Sequence, residues 1–325
     1  MNHNGSLDLA LRLVDAAAEA GADAVKFQTF TAEQVVSLAA PKAAYQEVNT
    51  GRGGSQLEMV KALELDAAQH RQIQAHCRDK GIMFLSSPFD RGSVDLLVKM
   101  GVPALKIGSG ELTNHEFLAY LAHQGLPLLL STGMSAMHEV ESALAVIRRN
   151  GSPAVALLHC VSNYPAAPCD CNLAAIDNMR KAFGLPTGWS DHTLGLQVSL
   201  AAAARGAALV ERHLTLDNSL PGPDHAASLE PDELRALIKG IRDIEASIGT
   251  GVKQQCPSEQ NTAAVARRSL HAARTLAAGH RITAGDLMML RPGTGIPADQ
   301  MDRVLGRTVS RTIPAGNILF EEDLT

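Results

Sequence analysis

Seven times between residues 20 and 245 a short apolar run alternates with a helical pattern, and each run ends in polar side chains. The runs are "DAVKFQTF" (23–30), "IMFLSSPF" (82–89), "ALKIGSGE" (104–111), "LPLLLSTGM" (126–134), "AVALLHCVS" (154–162), "TGWSDHT" (187–193) and "ALVERHLT" (208–215). Helical patterns such as Leu7–Ala20 and His138–Arg149 lie between them. Continuous apolar strands alternating with helices describe a parallel sheet covered on both faces. The ends of the runs carry Lys26 and Gln28, Ser86 and Ser87, Lys106, Ser109 and Glu111, Ser131 and Thr132, Ser162 and Tyr164, Ser190 and His192, and His213. A doubly wound open sheet gathers its chemistry at one switch point. A barrel builds its site from the carboxyl ends of all its strands. Seven polar strand ends therefore predict an α/β (β/α)8 TIM barrel. No eighth run is found, so its first strand is expected to be largely missing from this chain.

Beyond the alternation, 250–264 is polar and reads as a linker between a barrel domain, 1–249, and a small β-rich domain, 265–325. The last segment carries a weak repeat: "AGHRITAGDL" (278–287) and "AGNILFEEDL" (315–324) share Ala-Gly and Asp-Leu at one spacing. Each copy predicts a turn, a short strand and a capped single helical turn. A net charge of −5 argues against a nucleic-acid surface. No apolar run reaches the ~18–20 residues that span a bilayer, and no secretory leader pattern opens the chain. Five cysteines, an odd number, predict a reduced, cytoplasmic protein. Cys169-Asp170-Cys171 is one residue short of the usual metal spacing and has no second pair, so a solvated loop is expected there.

Two lysines lie inside apolar strands, Lys26 in "AVKFQ" and Lys106 in "ALKIGSG". A buried lysine is costly unless paired. Snorkelling to the rim, an anion clamp and a Schiff base are the three readings; nearby serines and the "GSG" amides favour the anion clamp. His192 in "SDH" and His213 in "ERH" end neighbouring strands. Two neutral imidazoles with open positions suit Mn²⁺, Zn²⁺ or Fe²⁺. Asp191 and Asp224 are the carboxylates placed to orient those rings or to accept substrate hydroxyls, while His159 reads as a hydrogen-bonded core residue.

In order along the chain, "NHNGS", "KFQT", "SSPF", "LKIGSGELTN", "LSTGM", "LLHCVSNYPA", "GWSDHT", "ERHLT" and "PGPDHAASLEP" resemble the sialic acid synthase family, and "RRSLHAAR…LRPGTGI…IPAGNILFEEDL" resembles its antifreeze-like SAF domain. The resemblance covers essentially the whole chain. It implies a phosphoenolpyruvate-dependent nonulosonate synthase that condenses phosphoenolpyruvate with N-acetylmannosamine and water to give N-acetylneuraminate and phosphate. A legionaminate-type synthase acting on a 2,4-diacetamido-2,4,6-trideoxy hexose, a Schiff-base aldolase and a non-catalytic sugar-binding homologue are the competing readings. The resemblance implies that Lys26, Ser87, Lys106, Ser109, Ser131 and Ser190 hold phosphoenolpyruvate. It implies that His192 and His213 bind a divalent metal, Mn²⁺ first, with Mg²⁺ or Co²⁺ as alternatives. Gln28, Glu111, Tyr164, Asp224 and Arg291 fall near the sugar, Lys26, Lys106, Glu111, His192 and His213 carrying the catalysis. Arg291 is expected to come from the SAF domain of a second copy, which implies a domain-swapped homodimer. The family's first strand carries a glutamate four residues before the Asn that is Asn2 here. The natural chain is expected to start upstream and to supply that strand and glutamate, the 325-residue form being less stable and showing little or no synthase activity without them.

Overall fold

The structure, a computed structural model, describes residues 1–50 and 53–325. It divides into two compact units, Met1–Gly249 and Thr250–Thr325. In the first, seven parallel strands pair in chain order: β1 (Ala24–Thr29), β2 (Met83–Pro88), β3 (Leu105–Ile107), β4 (Leu128–Ser131), β5 (Val155–Cys160), β6 (Thr187–Asp191) and β7 (Val210–Arg212). Each falls inside one of the seven apolar runs. Alternation then sorts their side chains. In β3, Leu105 and Ile107 are fully buried on one face while Lys106 faces the other. In β6, Trp189 and Asp191 share one face and Ser190 the opposite one.

Among the described residues β1 and β7 are the two edges of this curled sheet. The helical layer spans the interval that the sheet leaves open. The helix Leu7–Ala20 is capped by Ser6, which accepts from Leu9 N, and it stops at Gly21, whose φ of 87° suits a residue without a Cβ. It packs on the helices Ala67–Asp79 and Pro231–Ile248. Arg242 Nη2, on the last of these, donates to both carboxylate oxygens of Asp23 at 2.8 Å, just before β1. At the carboxyl end the first residues bridge the two edges. Asn2 Nδ2 donates to Leu214 O (2.8 Å) and Ser228 Oγ (2.7 Å), and the His3 ring lies 6.1 Å from that of Phe27.

The second unit pairs β8 (Ser269–Ala272) with β9 (Leu287–Leu290), antiparallel, around a core that includes Leu270, Leu276, Ile296, Val309 and Leu319. The sequence repeat is visible as two 3₁₀ turns, Ala284–Asp286 and Glu321–Asp323, each ending in a buried aspartate. The short strand expected in each copy forms only isolated bridges, Arg281 with Thr308 and Ile318 with His271. Within 250–264 the chain is not featureless. A helix, Gln260–Ala266, begins there, and Ala264 O accepts from Gly293 N at 2.7 Å. Among the described residues no helix is long and apolar enough to cross a membrane.

Candidate active site

The strand ends of the first unit bring two groups of polar side chains together. The first centres on Glu211 of β7. Lys26 Nζ, from β1, donates to Glu211 Oε1 at 3.2 Å, and Ser190 Oγ, from β6, to the same oxygen at 3.1 Å. Lys106 Nζ, from β3, lies 3.6 Å from Glu211 Oε2 and donates to Ser131 Oγ of β4 at 2.6 Å. Lys106 is almost wholly buried, which pulls its pKa down, against the opposing pull of Glu211. Burial pushes Glu211 upward, but Lys106 and Lys26 outweigh it and hold the carboxyl well below the usual range. Glu211 was not among the residues singled out from the sequence. The signal was there: Glu211 and His213 are two apart in a strand, hence on one face.

The second group is aromatic. The rings of His192 and His213 stand 5.3 Å apart and edge to face, with Tyr164 4.1 Å from His192 and 5.6 Å from His213. Tyr45, on the helix Ala44–Thr50, extends the row, 5.1 Å from Tyr164; its position has no counterpart in the sequence reading. Burial, aided by the Asp224 charge, raises the Tyr45 hydroxyl to about 12 and raises Tyr164 further. Burial also lowers both histidines, His213 well below its ordinary value. Both rings are therefore neutral at physiological pH, the form that ligates metals. His192 Nδ1 faces Val161 O at 2.7 Å, so it carries the hydrogen and leaves Nε2 free. His213 Nδ1 lies 3.6 Å from Asp224 Oδ2.

Among the described residues no three His, Cys, Asp or Glu side chains converge as a closed cage. Two neutral imidazoles, one locked in tautomer by a backbone carbonyl, fit an open divalent site whose other positions belong to water or substrate. Ser109 adds a third feature. Its hydroxyl accepts from Gly133 N at 3.0 Å and lies 3.1 Å from Cys160 Sγ. A Cβ at Gly133 would press into Ser109, Cys160 and Ser162 together, so only glycine lets these three meet.

The remaining expected residues are more dispersed. Gln28 and the buried Ser87 face each other in register across β1 and β2. Glu111 ends the 3₁₀ turn Ser109–Glu111 and accepts from Asn114 within its own loop at 2.9 Å. Arg291 is exposed in the second unit, directly after β9. His159 Nε2 donates to Cys171 O at 2.8 Å, and its ring lies tilted, 5.1 Å from that of Trp189, as a hydrogen-bonded residue of the interior. A cleft of about 450 Å³ beside Thr29, Glu64 and Asp66 holds no lysine or histidine; the chemistry lies at the strand ends.

With this geometry in place, comparison with known proteins gives the class. Residues 13–253 match the NeuB family model and residues 267–325 the SAF domain. The chain belongs to the NeuB family. It is 44% identical over 328 residues, covering 100% of this chain and 92% of the relative, to the N,N'-diacetyllegionaminic acid synthase of Legionella pneumophila. A protein of the same name from Campylobacter jejuni is 43% identical, with 99% and 97% covered. The crystal structure of N-acetylneuraminic acid (sialic acid) synthetase from Leptospira borgpetersenii, in complex with citrate, is 35% identical with a TM-score of 0.72, over 80% of this chain and 86% of that one.

Proposed function

We propose that this protein condenses phosphoenolpyruvate with a 2,4-diacetamido-2,4,6-trideoxy hexose and water, releasing phosphate and a nonulosonate of the N,N'-diacetyllegionaminic type. The observation that carries the synthase reading is the meeting of Lys26, Lys106, Ser131, Ser190 and Glu211 beside the His192–His213–Tyr164 group. The names of the two relatives at 44% and 43% identity support the diacetamido sugar over N-acetylmannosamine.

Two lysines against one carboxylate leave one net positive charge at the strand ends. An anion that binds there gains about 4 kcal/mol per unit charge at 4 Å in an effective dielectric of about 20, before desolvation. The phosphate and carboxylate of phosphoenolpyruvate fit that charge, with the Ser131 and Ser190 hydroxyls as added donors. C3 of phosphoenolpyruvate forms the new bond to the aldehyde carbon of the open-chain sugar, and C2 becomes electron-poor. Water adds at C2, and the resulting intermediate loses phosphate by C–O cleavage. Lys26 and Lys106 hold the departing charge throughout. Glu211, kept ionised, holds both ammonium groups in place and offers a carboxylate beside the charge that develops at C2. Tyr164 packs against both histidine rings and Tyr45 backs Tyr164, so the pair is walled on one side. A divalent ion on His192 and His213 would supply Lewis acidity toward the aldehyde oxygen; Mn²⁺ is the first choice, Mg²⁺ and Co²⁺ following. The same proposal includes a homodimer in which Arg291 of the partner subunit binds the acceptor's N-acyl group.

The test is phosphate release from phosphoenolpyruvate across a panel of amino sugars, with Mn²⁺ and with chelator. The highest kcat/KM is expected with the diacetamido trideoxy sugar, and loss of turnover with chelator or in His192→Ala and His213→Ala proteins that still fold. Highest kcat/KM with N-acetylmannosamine would return the acceptor to the sialic acid type. Sugar binding with no phosphate release would make the protein a binding homologue. Borohydride trapping of pyruvate on a lysine would make it an aldolase.

A further inference from the structure

The inward faces of β6 and β7 carry the site; their outward faces carry a second arrangement that touches no substrate position. Asp191 directly precedes His192, and Arg212 directly precedes His213. Both side chains are buried, 0% and 3% exposed, with Arg212 Nη1 2.8 Å from Asp191 Oδ2. Arg212 Nη2 donates to Thr193 O at 2.7 Å. Asp191 in turn accepts from Thr193 N at 2.8 Å and from Ser199 Oγ, on the helix Gln197–Ala204, at 2.5 Å. One guanidinium on β7 therefore grips the residues on either side of His192. The grip toward Asp191 is by charge, since Nη1 makes no aligned hydrogen bond, and that toward Thr193 is a directed hydrogen bond.

The backbone ladder does not do this job. The pairing of β6 with β7 ends at Asp191 opposite Arg212, one residue short of both histidines. Beyond it, His192 O accepts from Ala166 N and His213 O from Leu229 N, which ties each histidine to a different loop and not to the other. A buried ion pair is weak as a source of stability and is often replaceable by apolar side chains. Here it links two segments that the ladder leaves unlinked, at the point where the imidazole separation is decided.

We infer that Asp191 and Arg212 are positioning residues that set the distance and angle between the His192 and His213 rings, and through them the affinity of the pair for a divalent cation. The inference rests on the reading of these histidines as ligands. It is tested on the full chain with Arg212→Lys, which keeps the charge and loses the fork, and Ser199→Ala, which loosens Asp191 from the helix side. Mn²⁺ and Co²⁺ binding are measured by calorimetry without substrates, with the visible absorption of bound Co²⁺, thermal melting and phosphoenolpyruvate affinity alongside. Arg212→Lys is expected to weaken cation binding about 10-fold or more and to shift the Co²⁺ spectrum, while phosphoenolpyruvate affinity stays within about twofold because its lysines are gripped elsewhere. Ser199→Ala is expected to move the same quantities in the same direction by less. A folded Arg212→Lys protein with unchanged cation affinity and spectrum overturns the inference. If that variant does not fold, a Ser199→Ala protein with reduced melting temperature and unchanged cation affinity overturns it instead. A parent protein that binds neither ion, or whose affinity survives His192→Ala, removes the ligand reading and this inference with it.

Discussion

Two carboxylates in this chain are buried among cations and held well below their ordinary pKa, yet their surroundings differ in kind. Asp286, in the second unit, takes Thr283 N (2.8 Å), Thr283 Oγ1 (2.7 Å) and His280 Nε2 (2.9 Å) on one oxygen and Arg274 Nη2 (2.6 Å) on the other. Hydrogen bonding to His280 and the Thr283 donors outweighs burial and holds its pKa down. Every partner lies within about a dozen residues of it in sequence. The repeat reproduces the device at Asp323, which accepts from Arg311 Nε at 2.6 Å and Phe320 N at 2.9 Å. Among the described residues no backbone N–H meets the Glu211 carboxylate. It is met by two point-charge lysines and one hydroxyl, from strands far apart in sequence. A carboxylate saturated by neighbouring backbone is committed to holding a turn. One met by flexible ammonium groups can yield its partners to an incoming anion, and so belongs to a site.

The comparison breaks most clearly at Glu211→Gln. The lysines then carry two uncompensated charges, so phosphoenolpyruvate KM is expected not to rise, whereas kcat should fall about 100-fold or more as their orientation is lost. A variant with normal kcat and only a lower melting temperature would place Glu211 beside Asp286 as a fold carboxylate. Next in size, Lys106→Met should raise phosphoenolpyruvate KM about 10-fold or more, and more than Lys26→Met does. Lys106 is the more buried of the two and also holds Ser131; equal effects in steady-state kinetics would mean that the clamp is not graded by burial. The smallest effect on turnover belongs to Asp286→Asn. It should cost the second unit about 1–3 kcal/mol while leaving kcat at 25 °C near the parent value. A depressed carboxylate stabilises above its unfolded pKa, and that stability is lost as pH falls through the folded one. The parent's second unit should thus lose stability progressively below about pH 4, and the Asn variant should lack that portion of the slope in acid melts.

Much of the barrel was legible because each strand announces itself locally. Apolar runs bounded by turns need no knowledge of the rest of the chain, and all seven strands fell inside the runs read for them. Lys26, Lys106, Ser131, Ser190, His192 and His213 were likewise visible as polar residues where apolar ones would be cheaper. Glu211 is harder to read, because inside "ALVERHLT" it stands beside Arg212 and His213 and nothing local names its partners. Its meaning depends on Lys26, 185 residues away, and on the curl of the sheet that brings β1 toward β7, which no local pattern encodes. Tyr45 was missed for a related reason: it sits on a short helix in the connection after β1, and nothing in its own neighbourhood points to Tyr164. The repeat of the second unit was read from Ala-Gly and Asp-Leu, but Arg274 and Arg311 lie upstream of the matched segments, so the cations that complete each aspartate stayed hidden.

The span from Lys26 to Glu211 bears on how the protein comes into being. The charge cluster joins the first strand to the seventh, so it is among the most expensive contacts of the chain to close by loop entropy. Neither partner has its companion until nearly all the intervening strands have taken their places. On a ribosome, Lys26 waits for most of the first unit to be synthesised before Glu211 emerges. Helices and early strands, and with them the Lys106–Ser131 contact, can form long before that moment, but the complete charge cluster cannot. Its appearance marks the end of assembly of the first unit, and any folding intermediate lacking β7 is a scaffold without chemistry.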